Sequence, residues 1–421
     1  MPLGWIDFSK TERDKIMDVL DSLEENSTLD ELGLLQIRNG FADIFFPGTS
    51  TIQTRAKYFL IVPYAYRDLE LKNISDPDDF EKKMYELEKE CARKLLEVSP
   101  DETGIIGKRT LETSGKKGAW VKRTAADVYW AGLQNFGIYR ESSSRKEYAR
   151  AVCLRKKEQQ ISKISRYRND DAPEFGQDDK DAGSNGSCSS FWNIPTYNAD
   201  WMDNLSMKLT RKEAEFLKTQ ITQKHKDSMM SIILESASSE ADSTETPLRT
   251  FLYEDQLGFH DFANGAIECF PESVQSDYRL AYDFSNFAFA IRTVYNLIVS
   301  GDRNQTAIEA WKKICSSEFD KHTRVDLEAI FLRLGHLRTI HSKLQTFLKD
   351  CKQLMMNKQS DQLREVIIKR ERWLKGDARA KTINPPPLGN PEKDWYGGEH
   401  IDYRYSKAKD ILKDILNGLG S

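Results

Sequence analysis

Apolar residues recur three and four positions apart along most of the chain, the period of an amphipathic helix. Phe80, Met84, Leu87, Cys91 and Leu95 keep that spacing and predict a helix over 76–98, with Pro77 suited to its first turn. Residues 272–300 are apolar nearly all round, through Leu280, Phe284, Phe287, Ile291, Tyr295 and Ile298. That pattern predicts the longest helix, buried at the centre of a C-terminal domain. Ser9-Lys-Thr-Glu12 and Thr210-Arg-Lys-Glu213 are capping boxes, in which a hydroxyl accepts from the third residue on and that residue's carboxylate reaches back. Each opens a helix. Further helices are predicted over 29–46, 52–71 with a kink at Pro63, 125–136 behind Thr124, and 142–164 behind a serine run. Later ones fall at 306–316, 324–334, 339–355 and 359–374, and a last one carries Ala408, Ile411, Leu412, Ile415 and Leu416.

The fold class read from this pattern is mainly α, a multi-helical protein of two domains. The helices over 125–136 and 142–164, joined by a short glycine turn at Gly137, have the style of a helix-turn-helix or winged-helix element. Residues 169–190 differ in kind: six acids stand against Lys180 among many Gly and Ser. They predict an acidic linker between an N-terminal domain over 1–168 and a C-terminal domain over 191–421.

Composition narrows the class. With 421 residues, 39% hydrophobic and 30% charged, the chain describes a soluble globular protein, and no stretch reaches eighteen uncharged apolar residues, so no membrane span is expected. The start lacks a basic region followed by an apolar one, so secretion is not expected. The six cysteines are scattered without a Cys-x-x-Cys pair or a nearby histidine at ligand spacing. Neither structural zinc nor a disulfide framework fits; a reducing cytoplasm does, and no cofactor is implied. Glu88, Glu90, Asp101 and Glu102 lie on a helix or in a turn, away from the strand geometry metal-dependent nucleases usually employ.

Charge changes the picture locally. Between Lys108 and Arg168 sixteen Lys or Arg face five acids, a net +11 inside a chain of net −4. Trp120, Tyr129, Trp130, Phe136, Tyr139, Tyr148 and Tyr167 are interleaved with them. Cations that neutralise phosphates beside rings that stack on bases point to nucleic acid, DNA more than RNA. The alternative is that the rings are core and the charges a solvated face. The candidate contacts are Lys108, Arg109, Lys116, Lys117, Lys122, Arg123, Arg140, Arg145, Lys146 and Arg150, with Arg55 and Lys57 after the Pro47-Gly48 turn. A second basic patch runs from Lys369 to Lys381.

Several runs carry a resemblance: Gly4-Trp-Ile-Asp-Phe-Ser9, Phe46-Pro-Gly-Thr-Ser-Thr51 leading into Gln53-Thr-Arg-Ala-Lys-Tyr-Phe59, Gly104-Ile-Ile-Gly107, Tyr129-Trp-Ala-Gly-Leu133 and Asp402-Tyr-Arg-Tyr405. With these the chain resembles a bacterial family of uncharacterised proteins, a domain of unknown function, whose members resemble components of anti-phage defence gene clusters near helicases or nucleases. The resemblance brings no catalytic residue. Together with the basic stretch it points to a non-enzymatic nucleic-acid-binding or adaptor subunit working with a helicase or nuclease partner. The alternatives are a protein–protein scaffold whose basic surface docks an acidic partner, and a metal-dependent nuclease.

Overall fold

In the computed structural model the described residues are 30–113, 120–169, 191–236, 247–385, 395 and 400–420, with backbone alone for 162–169. The first capping box, the loop lysines Lys116 and Lys117 and most of the acidic 169–190 stretch lie outside them. The architecture is mainly α. Among the described residues the only β pairing is an isolated bridge between Tyr139 and Trp192. The Ala125–Asn135 and Arg145–Asn169 helices therefore follow one another without a wing among the described residues.

The chain forms two compact units, one from the residues up to Phe46 with Glu254–Ser406, the other from Pro47–Tyr253 with the residues from Lys407 onward.

The first unit is built around the Glu272–Ser300 helix, whose bounds match the apolar pattern and which ends at Gly301 in the left-handed region (φ 58°). The Leu35–Phe45, Gln305–Ser316, Phe319–Thr323, Leu327–Gly335 and Ser360–Lys375 helices pack on it. Most of the second basic patch is engaged here. Lys375 and Lys381 both pair with Glu31, and Lys375 also pairs with Glu371. Arg370 is buried and donates to the Leu32 carbonyl at 3.0 Å.

In the second unit the Tyr58–Leu71 helix packs against Pro77–Val98 and Ala125–Asn135, and Pro77–Val98 packs against Arg145–Asn169. The helix starts form as their sequences dictate. Asp76 accepts from the Asp79 amide, and Thr124 with Asp127 and Thr210 with Glu213 make reciprocal capping boxes. The Tyr58–Leu71 helix is shorter than its apolar pattern predicts because the preceding amides have other partners. The Thr54 and Arg55 amides donate to the Tyr129 hydroxyl at 2.8 and 2.9 Å, and the Ala56 amide donates to Asp414 at 2.8 Å. Backbone groups satisfied by distant side chains do not need a helix.

The runs at 46–59, 104–107 and 129–133 meet at this point. Thr54 donates to the Gly104 carbonyl at 2.7 Å, Tyr58 accepts from the Ile106 amide at 2.8 Å, and Gln53 donates to the Gly48 carbonyl at 3.1 Å. Gly132 permits the approach: a Cβ there would lie 2.5 Å from the Gly48 carbonyl oxygen and 2.8 Å from the Phe59 ring. These runs build the scaffold of the unit.

Candidate nucleic-acid interface

Among the described side chains, the +11 stretch separates in the fold into rings that face inward and cations that divide between two fates. Tyr129, Phe136, Tyr139 and Tyr148 are at most 1% exposed, Trp120 8% and Trp130 9%. Trp130, Tyr139 and Tyr148 join Tyr66, Phe80, Phe191 and Trp192 in one aromatic cluster, with Trp130 and Tyr139 centroids 4.6 Å apart. Trp192 donates to Tyr148 at 3.0 Å and Tyr148 to Glu70 at 2.7 Å, so these two polar tips are satisfied inside. Burial pushes the Tyr148 phenol well up. Each such ring contributes about 1.5–3 kcal/mol by burial, which assigns these rings to the core.

Arg55, Lys57 and Arg145 have their charge neutralised within the unit. Arg55 donates from Nε to both Asp414 oxygens at 2.9 and 3.0 Å and also pairs with Glu102. Lys57, 7% exposed, binds both Glu213 oxygens at 2.6 and 2.7 Å. Arg145 joins three helices, pairing with Glu81 at 2.6 Å and with Asp127. Lys108 donates to the carbonyls of Pro100 and Glu102, and Arg123 is half-buried. The Asp414, Glu213 and Glu81 partners of Arg55, Lys57 and Arg145 lie far away in sequence, and no local pattern announces them.

Arg109, Lys122, Arg140, Lys146 and Arg150 are exposed, as is Lys157 further along the same helix as Lys146. Lys146, Arg150 and Lys157 lie within an arc of about 40° on the Arg145–Asn169 helix, at rises of about 6 and 10 Å. They form a cationic row on one helix face. Leu154 and Ile161, 58% and 65% exposed, share that side.

The two fates predict different mutant behaviour. Arg145→Ala leaves Glu81 and Asp127 without their shared cation, and should cost about 3 kcal/mol of stability. Lys146→Glu should change stability by less than about 0.5 kcal/mol. Urea unfolding of both variants checks this; equal losses would remove the distinction.

Among the described residues no group of three or more His, Cys, Asp or Glu is placed to hold a metal ion, and no helix is long and apolar enough to cross a membrane.

Residues 1–163 match the model of a family of unknown function (DUF6361), so the N-terminal part of the chain carries an uncharacterised family domain. No curated protein and no solved structure matches the chain.

Proposed function

We propose that this protein binds nucleic acid through phosphates, DNA in preference to RNA, as a non-enzymatic subunit beside a helicase or nuclease in bacterial anti-phage defence. The observation that supports the reading is the row Lys146, Arg150 and Lys157, exposed on one face of the Arg145–Asn169 helix, with Arg109, Lys122 and Arg140 exposed in the same unit. The defence setting rests on the resemblance alone. Because the described rings of the stretch, Trp120 to Tyr148, are core, the described surface offers phosphate contact without base stacking. Binding is then electrostatic, indifferent to base sequence, and no stronger on single strands than on duplex.

Fluorescence anisotropy across a salt series tests this. Affinity for a short duplex should fall with a log–log slope of about 3 or more, since each neutralised phosphate contributes about 0.9. The Lys146→Glu, Arg150→Glu double variant should reduce that slope by about 2. An unchanged slope in the double variant, or no binding at low salt, rules the row out as the contact.

Exposed Leu154 and Ile161 on the same side favour a second reading, a scaffold face for an acidic protein partner. A partner retained after nuclease treatment, and lost in Leu154→Glu, would support it.

A further inference from the structure

The second unit contains a cleft of about 320 Å³ that neither the cationic row nor the family match accounts for. Tyr64, Tyr197 and Trp201 wall it, and the Lys57–Glu213 pair lies at its base. Tyr64 and Tyr197 stack with centroids 4.2 Å apart, and Trp201 stands edge-on to Tyr64 at 5.6 Å. The outer two rings are fixed by one carboxylate on the Tyr58–Leu71 helix. Asp68 accepts from the Tyr197 hydroxyl at 3.0 Å and from Trp201 Nε1 at 2.7 Å. Glu213 is held in turn by Lys57 and by the Thr210 amide at 2.9 Å. The walls are therefore preset before any ligand arrives, which lowers the ordering cost of binding. Tyr64 and Trp201 are as buried as the rings of the Trp130–Tyr148 cluster, and the half-buried Tyr197 is the ring that opens most to the cleft.

The lining also states what would fit. Its cations, Lys57 and Lys212, are matched by its anions, Asp200 and Glu213, so there is no net pull on an anionic ligand. Lys57 is committed to Glu213 and Lys212 bonds the Thr196 hydroxyl, which leaves neither as a ready phosphate holder. The exposed amide of Asn198 supplies a paired donor and acceptor, the group that matches a base edge most directly, while the Asn204 amide donates to Asp200 at 3.4 Å. The volume lies at the small end of ligand sites, enough for one ring system with a modest substituent.

We propose that the cleft between Tyr197 and Thr210 binds one uncharged planar heterocycle with hydrogen-bonding edges, a nucleobase or a nucleoside. The Tyr197 ring, backed by Tyr64, stacks on one of its faces and the Asn198 amide reads its edge. The site stands apart from the phosphate-binding row, and its occupancy does not depend on it.

Isothermal titration of the full chain with adenosine, cytidine and uridine, each at about 50 and about 300 mM salt, is the test. At least one nucleoside should saturate, with an affinity that changes less than about twofold with salt, because no counterions are released. Tyr197→Ala should weaken it about tenfold or more, the loss expected for a removed stacking ring. Asn198→Ala, at an exposed position that carries no fold contact named above, should weaken it severalfold without affecting unfolding. ATP should bind no better than adenosine. The Lys146→Glu, Arg150→Glu variant should bind the nucleoside as the natural chain does, so failure of the row and failure of the cleft are separable. No saturation by any nucleoside overturns the proposal. So does binding unaffected by both Tyr197→Ala and Asn198→Ala, or a preference for ATP that collapses with salt.

Discussion

Glu371→Ala should destabilise the first unit more than any surface change, by about 3–5 kcal/mol, the usual cost of removing one member of a buried charge network. Glu371 is fully buried on the Ser360–Lys375 helix. Its carboxylate accepts from the Tyr295 hydroxyl at 2.8 Å, the Thr382 amide at 2.9 Å and the Lys381 amide at 3.1 Å, and pairs with Lys375 at 3.3 Å. One side chain thus ties the central Glu272–Ser300 helix to the segment that follows its own helix. Alanine takes from the Tyr295 hydroxyl the nearer of two acceptors, Glu31 being the other at 3.3 Å, takes an acceptor from two part-buried amides, and removes an anion that Lys375 faces. The midpoint of thermal unfolding should drop by roughly 6–20 °C for a unit of this size. Glu371→Gln, which keeps an acceptor and the volume, should lose less. A drop of under about 2 °C in the alanine variant, the shift expected for less than about 1 kcal/mol, would mean that the network is dispensable.

The second large effect concerns pH. Glu88 lies buried on the Pro77–Val98 helix and accepts from the Ala126 amide at 2.6 Å. Burial raises its carboxyl from an ordinary 4.5 to about 7, against the opposing pull of the Ala126 amide and the Arg145 charge. The folded state therefore holds this proton more tightly than the unfolded chain does. Its contribution is most favourable below about 4.5, and stability is lost as pH rises through the window from 4.5 to about 7. Above that window the ionised, buried carboxylate costs up to about 3 kcal/mol. Glu88→Gln keeps an acceptor for Ala126 and abolishes the titration. At pH near 8 the variant should be the more stable protein by up to that amount, and near pH 4.5 the two should differ by less than about 1 kcal/mol. Urea unfolding at both pH values decides it: a constant difference between the proteins would show that Glu88 does not titrate in this range.

What could be read from the sequence was set by local physics. The Glu272–Ser300 helix was legible to its bounds because an all-apolar surface and a following glycine are both short-range signals. The same holds for the caps at Thr124 and Thr210. The helix predicted from Ile52 begins only at Tyr58, because Tyr129 and Asp414 take the amides that a helix would have used. The candidate site was legible as charge and not as availability. Arg55, Lys57 and Arg145 are indistinguishable in sequence from Lys146 and Arg150. Only the fold supplies Asp414, Glu213 and Glu81 as their partners. The cleft left no trace at all, since Tyr64 sits in an apolar run and Tyr197 and Trp201 in an irregular one, more than a hundred positions later.

The clasp between Arg55 and Asp414 spans 359 positions of chain. On a ribosome adding roughly 5–20 residues per second, Arg55 emerges some 20–70 s before the carboxylate that neutralises it. Through most of that interval the Arg55 guanidinium has Glu102 but not Asp414 as an acidic partner, and the Ala56 amide lacks the acceptor that Asp414 provides. Loss of the last helix by truncation or premature termination would therefore leave an otherwise complete chain unlatched, a state that quality-control proteases should recognise by its exposed backbone.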